Sequence, residues 1–216
     1  MKTIALSLIE SDPALYNDIK SSLEEGGIVC FPSPSGYKLA ADLTSPKAVL
    51  SMQQAKRRVK NAPSLVLVPD ETWVPKLAGP VPDAARALMR AFWPGPLTLL
   101  LTAGEDLPPK IIKPLTKAKG WLGVRMPGDN VAIAVLRAFQ KPLLVSSANL
   151  AKKHGANSVS QVRKNFGRTV DILIDAGDLN LGENSTLVDM THPRPSVIRA
   201  GAISAEAVHQ ALDVVA

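Results

Sequence analysis

The ten residues KPLLVSSANL, Lys141–Leu150, decide how this chain is read. Pro142 breaks whatever precedes it, because its ring cannot continue a helix. Leu143, Leu144 and Val145 form a short apolar run that reads as a buried strand. Ser146, Ser147, Ala148 and Asn149 follow at once. Open α/β sheets bind ligands at the carboxyl ends of buried strands. Small hydroxyl and amide side chains there donate to phosphate or carboxylate oxygens without adding bulk. The same residues also suit a plain polar turn, and the stretch alone leaves both readings open.

Working outward, helices and strands alternate. Thr3–Leu8 reads as a strand. Asp12-Pro13 is a helix start, an N-cap followed by proline at the first helical position, with the helix running to about Glu25 before Gly26-Gly27. Ile28–Phe31 is a buried strand that enters the loop Pro32-Ser33-Pro34-Ser35-Gly36-Tyr37, whose prolines stiffen the placement of its hydroxyls. Ser45-Pro46 starts a second helix with Val49, Met52 and Ala55 at helical spacing, ending in Lys56-Arg57-Arg58-Val59-Lys60. Cations at a helix C-terminus are favourable for dipole reasons alone. The other reading is that Lys56 and Arg58 reach a phosphate, which requires the helix to unwind near Lys56, since side chains two apart diverge.

Ser64–Val68 is a strand, Pro69–Pro82 a loop with four prolines, Asp83–Phe92 a helix and Leu97–Thr102 a strand. Gly104–Gly120 reads as a basic, proline-containing loop. Trp121–Met126 is a strand whose one charge, Arg125, calls for a partner or ligand. Asp129 caps a helix that runs to about Gln140. Beyond the starting stretch lie the polar loop Lys152-Lys153-His154-Gly155 and a capping box at Ser158 and Gln161. The helix it opens has a basic face of Arg163, Lys164 and Arg168. Strands at Ile172–Ile174 and Ser185–Met190 follow, and Ser204 caps a last helix. The pattern predicts one α/β domain, residues 1–216, around a mixed, largely parallel sheet.

Composition bounds the partners. The chain has 216 residues, 46% hydrophobic and 20% charged, which is enough for a globular core, and with 4% aromatics that core must be aliphatic. No run nears the roughly 20 apolar residues of a membrane span. Glu10 and Asp12 follow the short N-terminal apolar run with no small-residue cleavage site, so the expected location is the cytoplasm. Cys30 reads as a small core residue. Lys and Arg number 25 against 19 Asp and Glu, a net charge of +6, which favours an anionic partner, nucleotide or nucleic acid. A Walker loop, a GxGxxG fingerprint, CxxC, HExxH and GxSxG are all missing, and three scattered histidines make no metal site.

An ordered series of blocks resembles the YrdC-like family, which includes threonylcarbamoyl-AMP synthases. GGIVCFPSPSGYKLAAD resembles its glycine pair, strand, Pro-Thr-x-Thr-x-Tyr-Gly-Leu loop and trailing Asp. AKRRV resembles its Lys-x-Arg-Pro signature and SSANL its Ser-x-Asn signature. FWPGPLTLLL, GVRMP, NSTLVDMT and VIRAG look like further blocks. The series covers roughly Leu23 to Ala202.

That resemblance implies a concave basic cavity over the sheet. It also implies conversion of threonine, bicarbonate and ATP with Mg2+ to threonylcarbamoyl-AMP and pyrophosphate, for modification of tRNA by its partner machinery. Lys56 and Arg58 match the catalytic, phosphate-contacting pair; Ser147, Asn149, Ser185 and Arg199 match further ATP-binding positions. Ser33, Ser35, Tyr37 and Arg125 match those that hold the amino acid. The matched phosphate-side residues are intact, while the amino-acid-side loop is altered. Ser33 and Ser35 replace two threonines, and Val59 replaces the signature's proline. Lys38 stands where glycine is expected, and would either cross the mouth of the site or bind another anion. This pattern also looks like the divergent YciO-type branch. Two alternatives therefore stand beside the synthase: a non-catalytic module that binds double-stranded RNA or tRNA, and formation of a carbamoyl adenylate on another acceptor.

Overall fold

The computed structural model describes residues 1–9, 12–56, 64–116, 120–150 and 156–213. In chain order the elements are β1 (Lys2–Ala5), α1 (Pro13–Glu24), β2 (Val29–Phe31), β3 (Lys38–Asp42), α2 (Pro46–Lys56), β4 (Ser64–Leu67), α3 (Val74–Ala78), α4 (Asp83–Phe92), β5 (Leu97–Thr102), α5 (Pro109–Thr116), β6 (Trp121–Arg125), α6 (Asn130–Phe139), β7 (Leu143–Ser147), α7 (Val159–Phe166), β8 (Ile172–Asp175), β9 (Thr186–Asp189), β10 (Ser196–Arg199) and α8 (Ala205–Asp213). The chain divides into two compact units, Met1–Asn61 with Asp129–Gly182 and Ala62–Gly128 with Glu183–Ala216. Each is a mixed sheet carrying helices, the α/β architecture that the alternation of elements predicts.

In the first unit the strands run β1-β8-β2-β3-β7. β8 pairs in parallel with both β1 and β2, and β3 runs antiparallel to β2 and to β7. Local chemistry starts the helices. Asp12 Oδ1 accepts from the Ala14 amide at 2.9 Å with Pro13 at the first helical position. Asp129 Oδ1 accepts from Ala132 N at 3.0 Å, and Ser158 Oγ from Gln161 N at 3.3 Å. α1 packs against α6. It buries Leu15, Ile19 and Leu23, one face at helical spacing. Full burial of each such side chain contributes about 1.5–3 kcal/mol.

In the second unit the order is β4-β6-β5-β9-β10. β4 with β6 and β5 with β9 are parallel; β5 with β6 and β9 with β10 are antiparallel. α4 packs against α8, and Ala85, Leu88 and Val208 are fully buried.

The structure corrects several sequence-based expectations. The first strand stops at Ala5 and Leu6–Leu8 forms a 3-10 turn. The proline-rich segment after β4 holds a 3-10 turn at Glu71–Trp73 and α3. The segment expected as a basic loop contains α5. Its Ile111 and Leu115 are buried, and that face outweighs the amide donor lost at Pro114. β3 and β10 were not foreseen. β3 reads KLAAD and is buried along its whole length, so it shows no alternation.

Candidate functional site

The first unit assembles a polar cluster from three separate segments. β3 lies antiparallel to β7 with Lys38 opposite Ser147 and Leu39 opposite Ser146. Directly opposed side chains in such a pair are neighbours, and Lys38 Nζ donates to Ser147 Oγ at 3.2 Å. The same ammonium donates to the Ser35 carbonyl at 3.3 Å. From the other direction comes Lys56, the last residue of α2. Its Nζ donates to the Ser147 carbonyl at 2.6 Å, to Asn149 Oδ1 at 3.1 Å and to the Asn149 carbonyl. The turn also closes on itself, with Asn149 N donating to Ser147 O at 2.8 Å. Lys56, Ser147 and Asn149 were expected to converge, and the fold brings them together. Arg58, and the loop Lys152-Lys153-His154-Gly155, lie outside the described residues.

The loop between β2 and β3 is held tightly. Ser33 Oγ donates to Gly36 O at 2.7 Å, and Gly36 N donates back to Ser33 O at 3.0 Å. Gly36 sits at φ +100°, and a Cβ there would stand 2.9 Å from the Ala156 carbonyl, so the turn needs glycine. Ser33 and Ser35 are half-buried. Tyr37 is fully buried. Its hydroxyl donates to the Gly177 carbonyl at 2.8 Å and accepts from Ala176 N at 3.0 Å. In this arrangement the phenol braces the turn after β8 from inside the protein. Burial, with Asp175 nearby as a smaller cause, pushes its pKa above the ordinary tyrosine value, against the lowering effect of the Ala176 amide. Cys30 is a buried core residue, and burial pushes its thiol up as well.

The second unit holds the other three expected residues. Arg199, at the end of β10, donates through Nε and Nη2 to the Ser185 carbonyl at 3.1 and 2.8 Å, and through Nη2 to Ser185 Oγ at 3.3 Å. Sequence reading missed two partners here. Thr98 Oγ1 lies 3.0 Å from Ser185 Oγ. Thr186 Oγ1 donates to Ile203 O at 2.5 Å and accepts from the Gly201 and Ile203 amides at 2.9 and 3.0 Å. The available signal was a hydroxyl inside an otherwise apolar strand. Gly201 is required, since a Cβ would fall 2.1 Å from the Asn184 carbonyl. Arg125 ends β6, half-buried, with its Nε shut off from solvent.

Chemically, the first unit offers cations, hydroxyls and an amide, a donor set suited to anionic oxygens. Among the described residues no group of three or more His, Cys, Asp or Glu is placed to hold a metal, and no helix is long and apolar enough to cross a membrane.

The Sua5/YciO/YrdC family profile, described as telomere recombination, matches residues 21–201. A Pyrococcus abyssi protein named threonylcarbamoyl-AMP synthase is 30% identical over 190 residues, covering 88% of this chain and 55% of that one. The chain thus spans about half the length of that relative. A Mycobacterium tuberculosis relative is 35% identical over 193 residues, covering 89% of this chain and 87% of its own. The structure of P. abyssi Sua5 complexed with L-threonine matches with a TM-score of 0.82 at 27% identity, over 97% of this chain and 60% of that one. The chain belongs to the Sua5/YciO/YrdC family.

Proposed function

We propose that this protein is an ATP-dependent enzyme that makes threonylcarbamoyl-AMP from threonine, bicarbonate and ATP. The observation that supports this best is the convergence of Lys56 on Ser147 and Asn149 in a chain whose relatives carry that name. The threonine amine and bicarbonate give a carbamate and water. A carbamate oxygen then uses its electron pair to form a bond to the α-phosphorus, and pyrophosphate leaves with the electrons of the broken P–O bond. Negative charge builds on phosphate oxygens, so the protein's task is positioning and electrostatic stabilisation.

Within this reading Lys56 and Arg58 serve the phosphates, the first also by fixing the 147–149 turn. Ser147 and Asn149, and in the second unit Ser185 and Arg199, bind the nucleotide. Ser33 and Ser35 hold the amino acid. Tyr37 acts by positioning the loop after β8, and Arg125 pairs with the threonine carboxylate. Mg2+ enters with ATP as part of the substrate. The product serves tRNA modification in the cytoplasm. Purified protein with ATP, Mg2+, threonine and bicarbonate should release pyrophosphate, and Arg58→Ala should abolish that release. No release above background, with other amino acids doing no better, removes the enzyme reading.

The exposed cations Arg163, Lys164 and Arg168 of α7 and its following turn favour one further reading, tRNA or double-stranded RNA binding. Affinity for such RNA should fall steeply with salt, and salt-insensitive binding would reject it.

A further inference from the structure

We propose that Thr98 is a positioning residue for the nucleotide: its buried hydroxyl donates to Ser185 Oγ, so that Ser185 meets a ligand only as a donor, the polarity that a phosphate oxygen requires. The inference rests on the reading of Ser185 and Arg199 as nucleotide-binding residues. Thr98 lies in β5 and is 5% exposed. Its Oγ1 stands 3.0 Å from Ser185 Oγ, and among the described residues that is the hydrogen bond it makes. The branched Cβ fixes which way the hydroxyl faces. A Cβ on Gly123 would stand 3.3 Å from the Thr98 methyl carbon, so the methyl packs beside the glycine of β6. β9 flanks β5 on its other side, and Ser185 is the residue that enters it. A β-branched side chain is stiff about χ1, and with its methyl toward β6 the hydroxyl is turned toward β9.

The direction of the bond follows from counting protons. A hydroxyl carries one proton and two lone pairs. Were Ser185 to donate, the Thr98 proton would be buried with no acceptor among the described residues, and a buried donor left unsatisfied is costly. With Thr98 as the donor both groups are served, because Ser185 is half-buried and its own proton meets water or ligand. Arg199 takes the second lone pair, since a guanidinium only donates and its Nη2 lies 3.3 Å from Ser185 Oγ. The same side chain holds the Ser185 carbonyl through Nε and Nη2 at 3.1 and 2.8 Å. Arg199 therefore fixes the backbone of Ser185, and Thr98 fixes its side chain. The serine oxygen receives two donors and has one proton to give. Hydrogen bonds that run in one direction polarise one another, so this proton is a better donor to an anionic oxygen than that of a serine in water.

Titration calorimetry with ATP and Mg2+ on the full chain, run as a double-mutant cycle, tests this. Thr98→Val keeps the branched shape and removes the donor. It should weaken ATP by about three- to tenfold, the loss of one neutral hydrogen bond. Thr98→Ser keeps the hydroxyl and should bind close to wild type. Ser185→Ala should weaken ATP at least as much as Thr98→Val does. Thr98→Val added to Ser185→Ala should change nothing further, because Thr98 acts through Ser185. Thr98→Ala should show the same loss as the Val variant and serves if that variant does not fold. Wild-type ATP affinity without the Thr98 hydroxyl overturns the positioning role and leaves the ATP reading standing. An equal loss from Thr98→Val with and without the Ser185 hydroxyl also overturns it, because Thr98 would then act through the fold. A Thr98→Ser variant as weak as Thr98→Val overturns it too, since the methyl and not the hydroxyl would matter. Wild type that binds no ATP overturns the inference together with the nucleotide reading, and wild type alone tells that result from the others.

Discussion

Replacing Lys56 by methionine separates a cation that only faces ligand from one that also builds the site. The methionine keeps most of the buried stem and removes the charge. Three oxygens, Ser147 O, Asn149 O and Asn149 Oδ1, then lose an ammonium donor. Hydrogen bonds to charged groups are each worth about 1.5–3 kcal/mol net. They do not simply add here, because Ser147 and Asn149 are half-buried and water replaces part of what is lost. The relief of a buried charge offsets a further part. The expected net destabilisation is about 2–4 kcal/mol, which for a chain of this length lowers the melting midpoint by roughly 5–15 °C. Lys56→Arg should recover less than half of that. A planar guanidinium fork does not satisfy three acceptors arranged around one tetrahedral nitrogen. The assay is thermal unfolding without nucleotide, followed by circular dichroism, with urea unfolding to check that the slope is unchanged. A midpoint within about 2 °C of wild type for Lys56→Met would refute the clamp. Lys56 would then contribute through ligand alone.

Tyr37→Phe should cost about 1–3 kcal/mol in urea unfolding, since it strands the Ala176 amide and the Gly177 carbonyl; no change would mean that the hydroxyl does not brace that turn. Thr186→Val should cost about 2–4 kcal/mol, because one buried hydroxyl serves two amides and a carbonyl, and a neutral outcome would show that water takes over its bonds. Stability should fall in alkali. Cys30 and Tyr37 hold their protons more tightly folded than unfolded. Their contribution is therefore intact at neutral pH and is lost as pH rises past the ordinary thiol and phenol values, about 8.5 and 10. Tyr37→Phe should reduce the slope above pH 10, and an unchanged slope would exclude Tyr37 from it.

What could be read from the sequence was mostly local or serial. Asp12-Pro13, Asp129 and Ser158 start their helices through bonds to amides two or three residues away, so the signal and the structure share a window. Lys56, Ser147 and Asn149 were legible together because the order of family blocks stood in for distance. What escaped depends on long-range pairing. The Tyr37 hydroxyl finds its partners 139 and 140 residues away, and no local pattern marks them. β3 carries two alanines, which favour strands weakly, and is buried on both faces, so neither propensity nor alternation reveals it. α3 and α5 hide behind prolines, Pro75 and Pro109 in the first turn where a helix tolerates them and Pro114 further in where it is not expected. Thr98 and Thr186 look like ordinary strand residues until their partners come in from elsewhere in the chain.

Lys56 shows how a helix end and a site can be confused. A cation in the last turn of α2 is favourable next to the partial negative charge of the helix C-terminus, and that alone would account for a lysine there. A dipole contact would leave the ammonium near solvent and the carbonyls of its own helix. Instead the side chain is buried and its described hydrogen bonds run to β7 and the turn beyond it, 91 and 93 residues away in sequence. The helix therefore supplies direction, and the turn supplies the acceptors. With Ser147 fixed by its carbonyl in this way, its hydroxyl is left pointing to the β3 side, where the strand register has set Lys38. Lys38 is thus placed by strand register and Lys56 by the end of a helix, and the two lysines reach one serine from β3 and from α2.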